Sequence, residues 1–354
     1  MNGIEISRRF YLDQVAPRLA GVPHAAALLG NGSEVLGYDD EVSPDHDFGP
    51  RVQIFLPRDV GRTAKRTEDL HVVAGQTVGP FFAGSLGFDP GAGVHVVAGQ
   101  TVGAFFAGSL GFDPGAGVRV ADWLLTPTQM LAGLTRGAVF RDPDGELARY
   151  RAALEWYPDD VWRYALAAGW LKVGQEDAFL GRTGSTGDDL GSRILAARLA
   201  RELVRLAFLV ERRWAPYGKW LGRAFNELTL AAEAGPPLAA ALSAADWRDR
   251  ERLIGTAGSI VAAATNELGL CPPVDPAPRR FHARDIRVLG AERFTVALTG
   301  AITDPALLAV MDRVGRREGA VCRLPGTVDQ AVDSTDVLTN PARFRAAAPM
   351  LGLT

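Results

Sequence analysis

An apolar run, Ala25 to Leu29, leads into a glycine turn, Gly30-Asn31-Gly32-Ser33, and Asp45-His46-Asp47 follows further along the chain. Read as an extended segment, Asp45 to Asp47 puts both carboxylates on one face and His46 on the other. Two acids about 7 Å apart along a strand edge can share a hard divalent cation such as Mg²⁺. Gly32 lets backbone N–H groups come close to a phosphate, and Ser33 adds a hydroxyl donor where a helix is expected to begin. A Gly-Ser pair alone reads as a turn, and Asp-X-Asp alone as a solvated loop. The order of strand, Gly-Ser, spacer, paired acids and strand is more restrictive. It describes a metal–nucleotide site, with Asp45 and Asp47 on the metal and Gly32 and Ser33 on the β- and γ-phosphates.

The elements that must hold these residues can be read from periodicity. Ile6, Phe10, Val15 and Leu19 among charged neighbours predict an amphipathic helix over residues 5–20, leading into a strand over 24–30. Ser33 to Leu36 predicts a short helix, and Arg51 to Leu56 a strand that Pro57 ends. Residues 71–94 recur at 95–118 with one change, Pro80 against Ala104. Two copies are too few for a solenoid, so this reads as a tandem duplication in which one copy takes the native place. From about residue 124 the pattern is nearly all helical. Helices are expected over 128–134, from Asp159 to about Leu180, from Asp188 or Asp189 to Arg213, from Pro216, and over 236–246, 247–268, 290–301 and 305–317. A loop is expected from Gly181 to Gly187.

Bulk properties narrow the classes. At 354 residues the chain suits two domains, expected at 1–123 and 124–354. With 47% hydrophobic residues it can bury a real core, and a net charge of −3 offers no global basic field for nucleic acid. Two cysteines, Cys271 and Cys322, make no disulfide framework, and the start of the chain does not read as a signal peptide. No stretch reads as a membrane span. A cytoplasmic protein is expected. The lone spacing of His24 and His282, and the duplication of His71 as His95, suggests no zinc site.

The run Gly30 to Glu41 with Asp45 to Arg51 resembles the polymerase-beta-like nucleotidyltransferase superfamily, and more narrowly the domain of unknown function numbered 4037. Leu110 to Pro114, Trp156 to Trp162, Tyr217 to Trp220 and Val332 to Leu338 carry the same resemblance. It implies an α/β (α+β) domain with a small mixed sheet, followed by an α-helical bundle. It also implies Mg²⁺-dependent transfer of a nucleoside monophosphate from an NTP, with ATP the first candidate, to a hydroxyl of a small-molecule acceptor. Lys219 would reach the triphosphate from the helical domain, although a surface lysine beside Trp220 is the blander reading. The resemblance further implies a third acid on a neighbouring strand. That register falls on Ala74, and on Ala98 in the second copy, where no acid stands. Asp69 and Asp122 are the nearest substitutes. Asp122 would end a Val118-Arg119-Val120 strand, or more simply cap a helix before Trp123. Two other readings therefore stand beside the enzyme: a catalytically degenerate nucleotide-binding or scaffold protein, and an antitoxin-like helical interaction partner.

Overall fold

The computed structural model describes residues 2–39, 50–57, 95–315 and 323–354. They divide into two compact units: residues 1–118 with 129–155, and residues 119–128 with 156–354. The division differs from the expected boundary at 123 because residues 129–155 return to the first unit.

The first unit opens with helix α1 (Gly3–Phe10), which continues through a π-helical turn (Tyr11–Val15) and Ala16–Arg18. Its apolar stripe, Tyr11, Val15 and Leu19, is buried against Ala26, Val52 and Ile54. That stripe is the spacing expected of an amphipathic helix on a sheet. Strand β1 (Ala25–Leu28) leads through the glycine turn to the four-residue helix α2 (Ser33–Leu36), and strand β2 is Arg51–Phe55. Strand β3 (His95–Gln100) and helix α3 (Val102–Leu110) come from the second copy of the duplication, and the first copy lies outside the described residues. The single difference between the copies bears on this. Thr101 caps α3 by accepting from the N–H of Ala104 at 3.1 Å, a donor that proline, as at position 80, does not have.

Helix α4 (Val120–Leu125) replaces the strand considered for 118–120, because Asp122 draws the Arg119 N–H and side chain into a helical first turn. Helix α5 (Thr128–Thr135) is followed by strand β4 (Ala138–Arg141) and helix α6 (Glu146–Ala152). Strand β4 interrupts what the sequence suggested was an all-helical half. The sheet order is β3-β2-β1-β4; β1 is antiparallel to both β2 and β4, and β2 is parallel to β3. It is therefore a small mixed sheet, and β4 lies on its edge, running from buried Ala138 to exposed Arg141.

The second unit is a helical bundle built on two long helices, α7 (Asp159–Ser185) and α8 (Asp189–Val210). Around them stand α9 (Gly218–Phe225), α10 (Ala231–Ser243), α11 (Trp247–Glu267), a two-stranded ribbon β5 (Arg279–Arg280) with β6 (Arg287–Val288), α12 (Glu292–Gly300) and α13 (Pro305–Arg313). The core is aromatic: Trp170 stacks on Phe294 at 4.9 Å, and the indole of Trp162 donates to the Leu209 carbonyl at 2.8 Å. Trp156, Tyr157 and Trp214 form a second cluster, with Trp214 4.3 Å from Trp156 and 4.6 Å from Tyr157. Helix α7 runs on to Ser185, through most of the loop expected at 181–187. Gly181 and Gly184 lie where side chains of α11, Glu251 and Trp247, press on α7, so they are needed for close approach and do not break the helix. The arginines of α8 are engaged in ion pairs, Arg198 with Glu176, Arg201 with Asp333 and Arg205 with Asp329. None of the described helices is long and apolar enough to cross a membrane.

Candidate functional site

The glycine turn is built between β1 and α2, and three separate features fix it. Gly30 and Gly32 have φ values of +93° and +140°, which only glycine adopts without strain. The carboxamide of Gln53, buried on β2, donates to the Leu29 carbonyl at 2.7 Å and accepts the Leu29 N–H at 2.8 Å. This satisfies both backbone groups at the point where β1 stops pairing. From α5, the Gly133 carbonyl accepts the Gly30 N–H at 2.9 Å, and a side chain at position 133 would collide with the Gly30 carbonyl. The turn is thus held from both flanks before any ligand arrives.

Arg51, the first residue of β2, lies against the same turn. Its Nη2 donates to the Asn31 carbonyl at 2.6 Å and pairs with the Glu34 carboxylate at 2.9 Å, while its backbone N–H donates to Ser7 Oγ at 3.1 Å. The Glu34 carboxylate folds back over Gly32, where a methyl group would overlap it. An anionic group therefore already rests on the glycine turn beside a guanidinium. Sequence reasoning passed over Glu34 and Gln53. Glu34 adjoins Ser33 in a motif where only the glycine and the hydroxyl drew notice, and a lone glutamine in a strand carries no periodic signal.

Asp45 and Asp47 lie outside the described residues, in the segment that ends just before β2; Asp69 and Ala74 lie outside them too. Asp39, the last described residue before that segment, accepts the Gly3 N–H on Oδ2 at 2.6 Å, and its Oδ1 is buried without a hydrogen-bond partner among the described residues. A buried carboxylate oxygen in that condition suits a neighbouring cation or donor. No cluster of three or more His, Cys, Asp or Glu suited to a metal occurs among the described residues.

Asp122 is no substitute ligand. It is 1% exposed on α4 in the helical unit, where Oδ2 accepts Arg119 Nε at 2.8 Å and Oδ1 accepts Arg345 Nη2 at 2.8 Å. Burial opposes its ionisation, but the hydrogen bonds from Arg119 and Arg345 outweigh burial and hold its carboxyl below the usual range. Its acceptor capacity is spent within the fold, as the helix-cap reading expects. Ala98 lies on β3 opposite Ile54, so the strand before Phe105 and Phe106 carries no acid at that position.

Lys219 sits in the first turn of α9, exposed, with its ammonium 4.7 Å from the centre of the Trp220 ring. His24 is structural: its Nε2 meets Tyr11 Oη at 2.9 Å and its Nδ1 the Val22 carbonyl at 2.8 Å. Burial lowers its pKa, against the hydrogen bond to Val22. Burial likewise raises the Cys271 thiol, which argues against a thiolate nucleophile there.

Residues 123–221 match the family described as a domain of unknown function (DUF4037). The match starts at Trp123 and runs through α5, β4, α7 and α8 to Lys219 and Trp220 of α9. No curated protein matches the chain. No solved structure matches it either.

Proposed function

We propose that the chain is a nucleotidyltransferase-like protein that binds an NTP at the Gly30–Ser33 turn and transfers its nucleoside monophosphate to a hydroxyl of a small-molecule acceptor. The observation that carries this reading is the turn itself, clamped by Gln53 and Gly133, with Arg51 and an anionic carboxylate already against Gly32. A phosphate approaching Gly32 displaces the Glu34 carboxylate and inherits Arg51 as its charge partner. Ser33 offers its hydroxyl at the same place, the first residue of α2.

Asp45 and Asp47 are the residues that would hold Mg²⁺, which supplies charge neutralisation at the transferring phosphate. Asp47 precedes Arg51, the first residue of β2, by four residues. A test uses purified protein, Mg²⁺ and α-labelled NTPs with a mixture of hydroxylated small molecules. Label should move to an acceptor, and Asp45→Asn should lower the rate at least a hundredfold. Undiminished transfer by Asp45→Asn rejects the assignment.

A second reading is favoured by one observation: β3 carries Ala98 where the third acid is expected, and Asp122 is engaged with Arg119 and Arg345. On that reading the protein binds the nucleotide without turnover. It predicts Mg-NTP binding with no pyrophosphate released by the wild-type chain.

A further inference from the structure

The helical unit contains a cavity of about 400 Å³ between α7, α8, α11 and the ribbon segment. Its walls are mainly apolar, with Val173 and Leu180 from α7, Leu203 from α8, Ile254 from α11, and Pro278 and Leu289 on the remaining side. This is the size and character of a small-molecule site. Charged residues interrupt the apolar lining: the acids Asp177 on α7 and Glu251 on α11, with Arg252, which pairs with Asp249 at 3.0 Å, and Arg287.

Their placement is specific. Gly181 lies one helical turn after Asp177, and a methyl group there would collide with Glu251 Oε1. Glu251 therefore meets α7 one helical turn after Asp177. Asp177 Oδ2 accepts the Gly290 N–H at 3.1 Å. Glu251 Oε1 is buried and has no hydrogen-bond partner among the described residues. Burial raises the carboxyl of Asp177 to about 7, helped by the charge of Glu292 and opposed by the Gly290 hydrogen bond. Burial also raises Glu251, against a backbone hydrogen bond from Arg287 and the charges of Arg248 and Arg287, with Asp285 adding to the rise.

We propose that this cavity binds a small apolar molecule bearing a protonated amine, its body against Leu203, Ile254 and Leu289 and its ammonium shared by Asp177 and Glu251. An ammonium brings three N–H donors and one positive charge, which answers the orphaned acceptor of Glu251 and gives Asp177, whose Oδ2 takes the Gly290 N–H, a cationic donor. A neutral alcohol supplies one donor and no charge. The inference is independent of the phosphate chemistry assigned to the Gly30–Ser33 turn, since every group it uses lies in the helical unit.

The test is calorimetric titration of the full chain at pH 8 with 2-phenylethylamine and with 2-phenylethanol. The amine should bind at least tenfold more tightly than the alcohol. Asp177→Asn should remove that preference while leaving the alcohol unchanged, and Glu251→Gln serves the same purpose should the first variant fail to fold. Gly255→Leu, which projects toward Pro278 and fills the cavity, should abolish binding of both probes. Equal affinity for amine and alcohol, an unaltered preference in the folded variants, amine binding that survives Gly255→Leu, or no binding of the amine by the wild-type chain would each overturn the proposal.

Discussion

The carboxamide of Gln53 holds both backbone groups of Leu29, and nothing else among the described hydrogen bonds does so. Truncation leaves a buried N–H and a buried carbonyl unsatisfied, so Gln53→Ala should destabilise the chain by about 2–3 kcal/mol in a denaturant melt. Gln53→Leu should be as harmful despite its similar volume, because the loss is polar. If Gln53→Leu proved neutral, the clamp would have no part in shaping the turn. The glycines of that turn were legible in the sequence because positive φ has one favoured residue. Gln53 and Glu34 were not, because their roles depend on β1 and β2 being antiparallel neighbours, which a local pattern does not encode. Asp177 illustrates the same limit on α7, since its hydrogen-bond donor, the Gly290 N–H, lies more than a hundred residues downstream.

Helix α8 was legible because its apolar stripe repeats with helical spacing, and α7 because Pro158 and Asp159 mark its start. The end of α7 was misread for a physical reason: glycines that break an isolated helix are retained where another helix presses against them. Short elements carry less signal, and there two readings stood side by side. Val118-Arg119-Val120 alternates like a strand, yet the first turn of α4 forms because Asp122 bonds back to Arg119 and across to Arg345. Removing that buried acid takes away the acceptor that Arg119 and Arg345 share, so Asp122→Ala should cost about 3 kcal/mol at neutral pH. The native carboxyl is held below its ordinary 3.8, so its stabilisation is complete above that value and fades as pH falls through the native value. The wild-type advantage over Asp122→Ala in urea melts should therefore shrink below about pH 4. A constant difference down to pH 2 would contradict the assignment of Asp122 as an ionised structural group.

For the whole molecule, the first unit is discontinuous in sequence, so a boundary drawn along the chain at 123 misses β4 and its contribution to the sheet. Global stability should also carry the signature of Asp177. Its native carboxyl is raised from 3.8 to about 7, so the folded chain holds a proton there that the unfolded chain has released between those values. Stability attributable to this group is therefore highest in acid and is lost as pH rises toward 7, with an upper bound of about 4 kcal/mol at 1.36 kcal/mol per pH unit. Asp177→Asn should melt higher than wild type at pH 8 and show no such gain at pH 4.5; a gain independent of pH would reject the buried-acid account. The central claim remains that Asp45 and Asp47 hold a divalent cation beside the turn that Gln53 and Gly133 fix. Paramagnetic broadening by Mn²⁺ in place of Mg²⁺ measures this directly, read at the amide signals of Gly32 and Ser33. Those signals should broaden selectively in the wild-type chain and stay sharp in the Asp45→Asn, Asp47→Asn double variant, whereas equal broadening in both, or none in either, would contradict a cation site there.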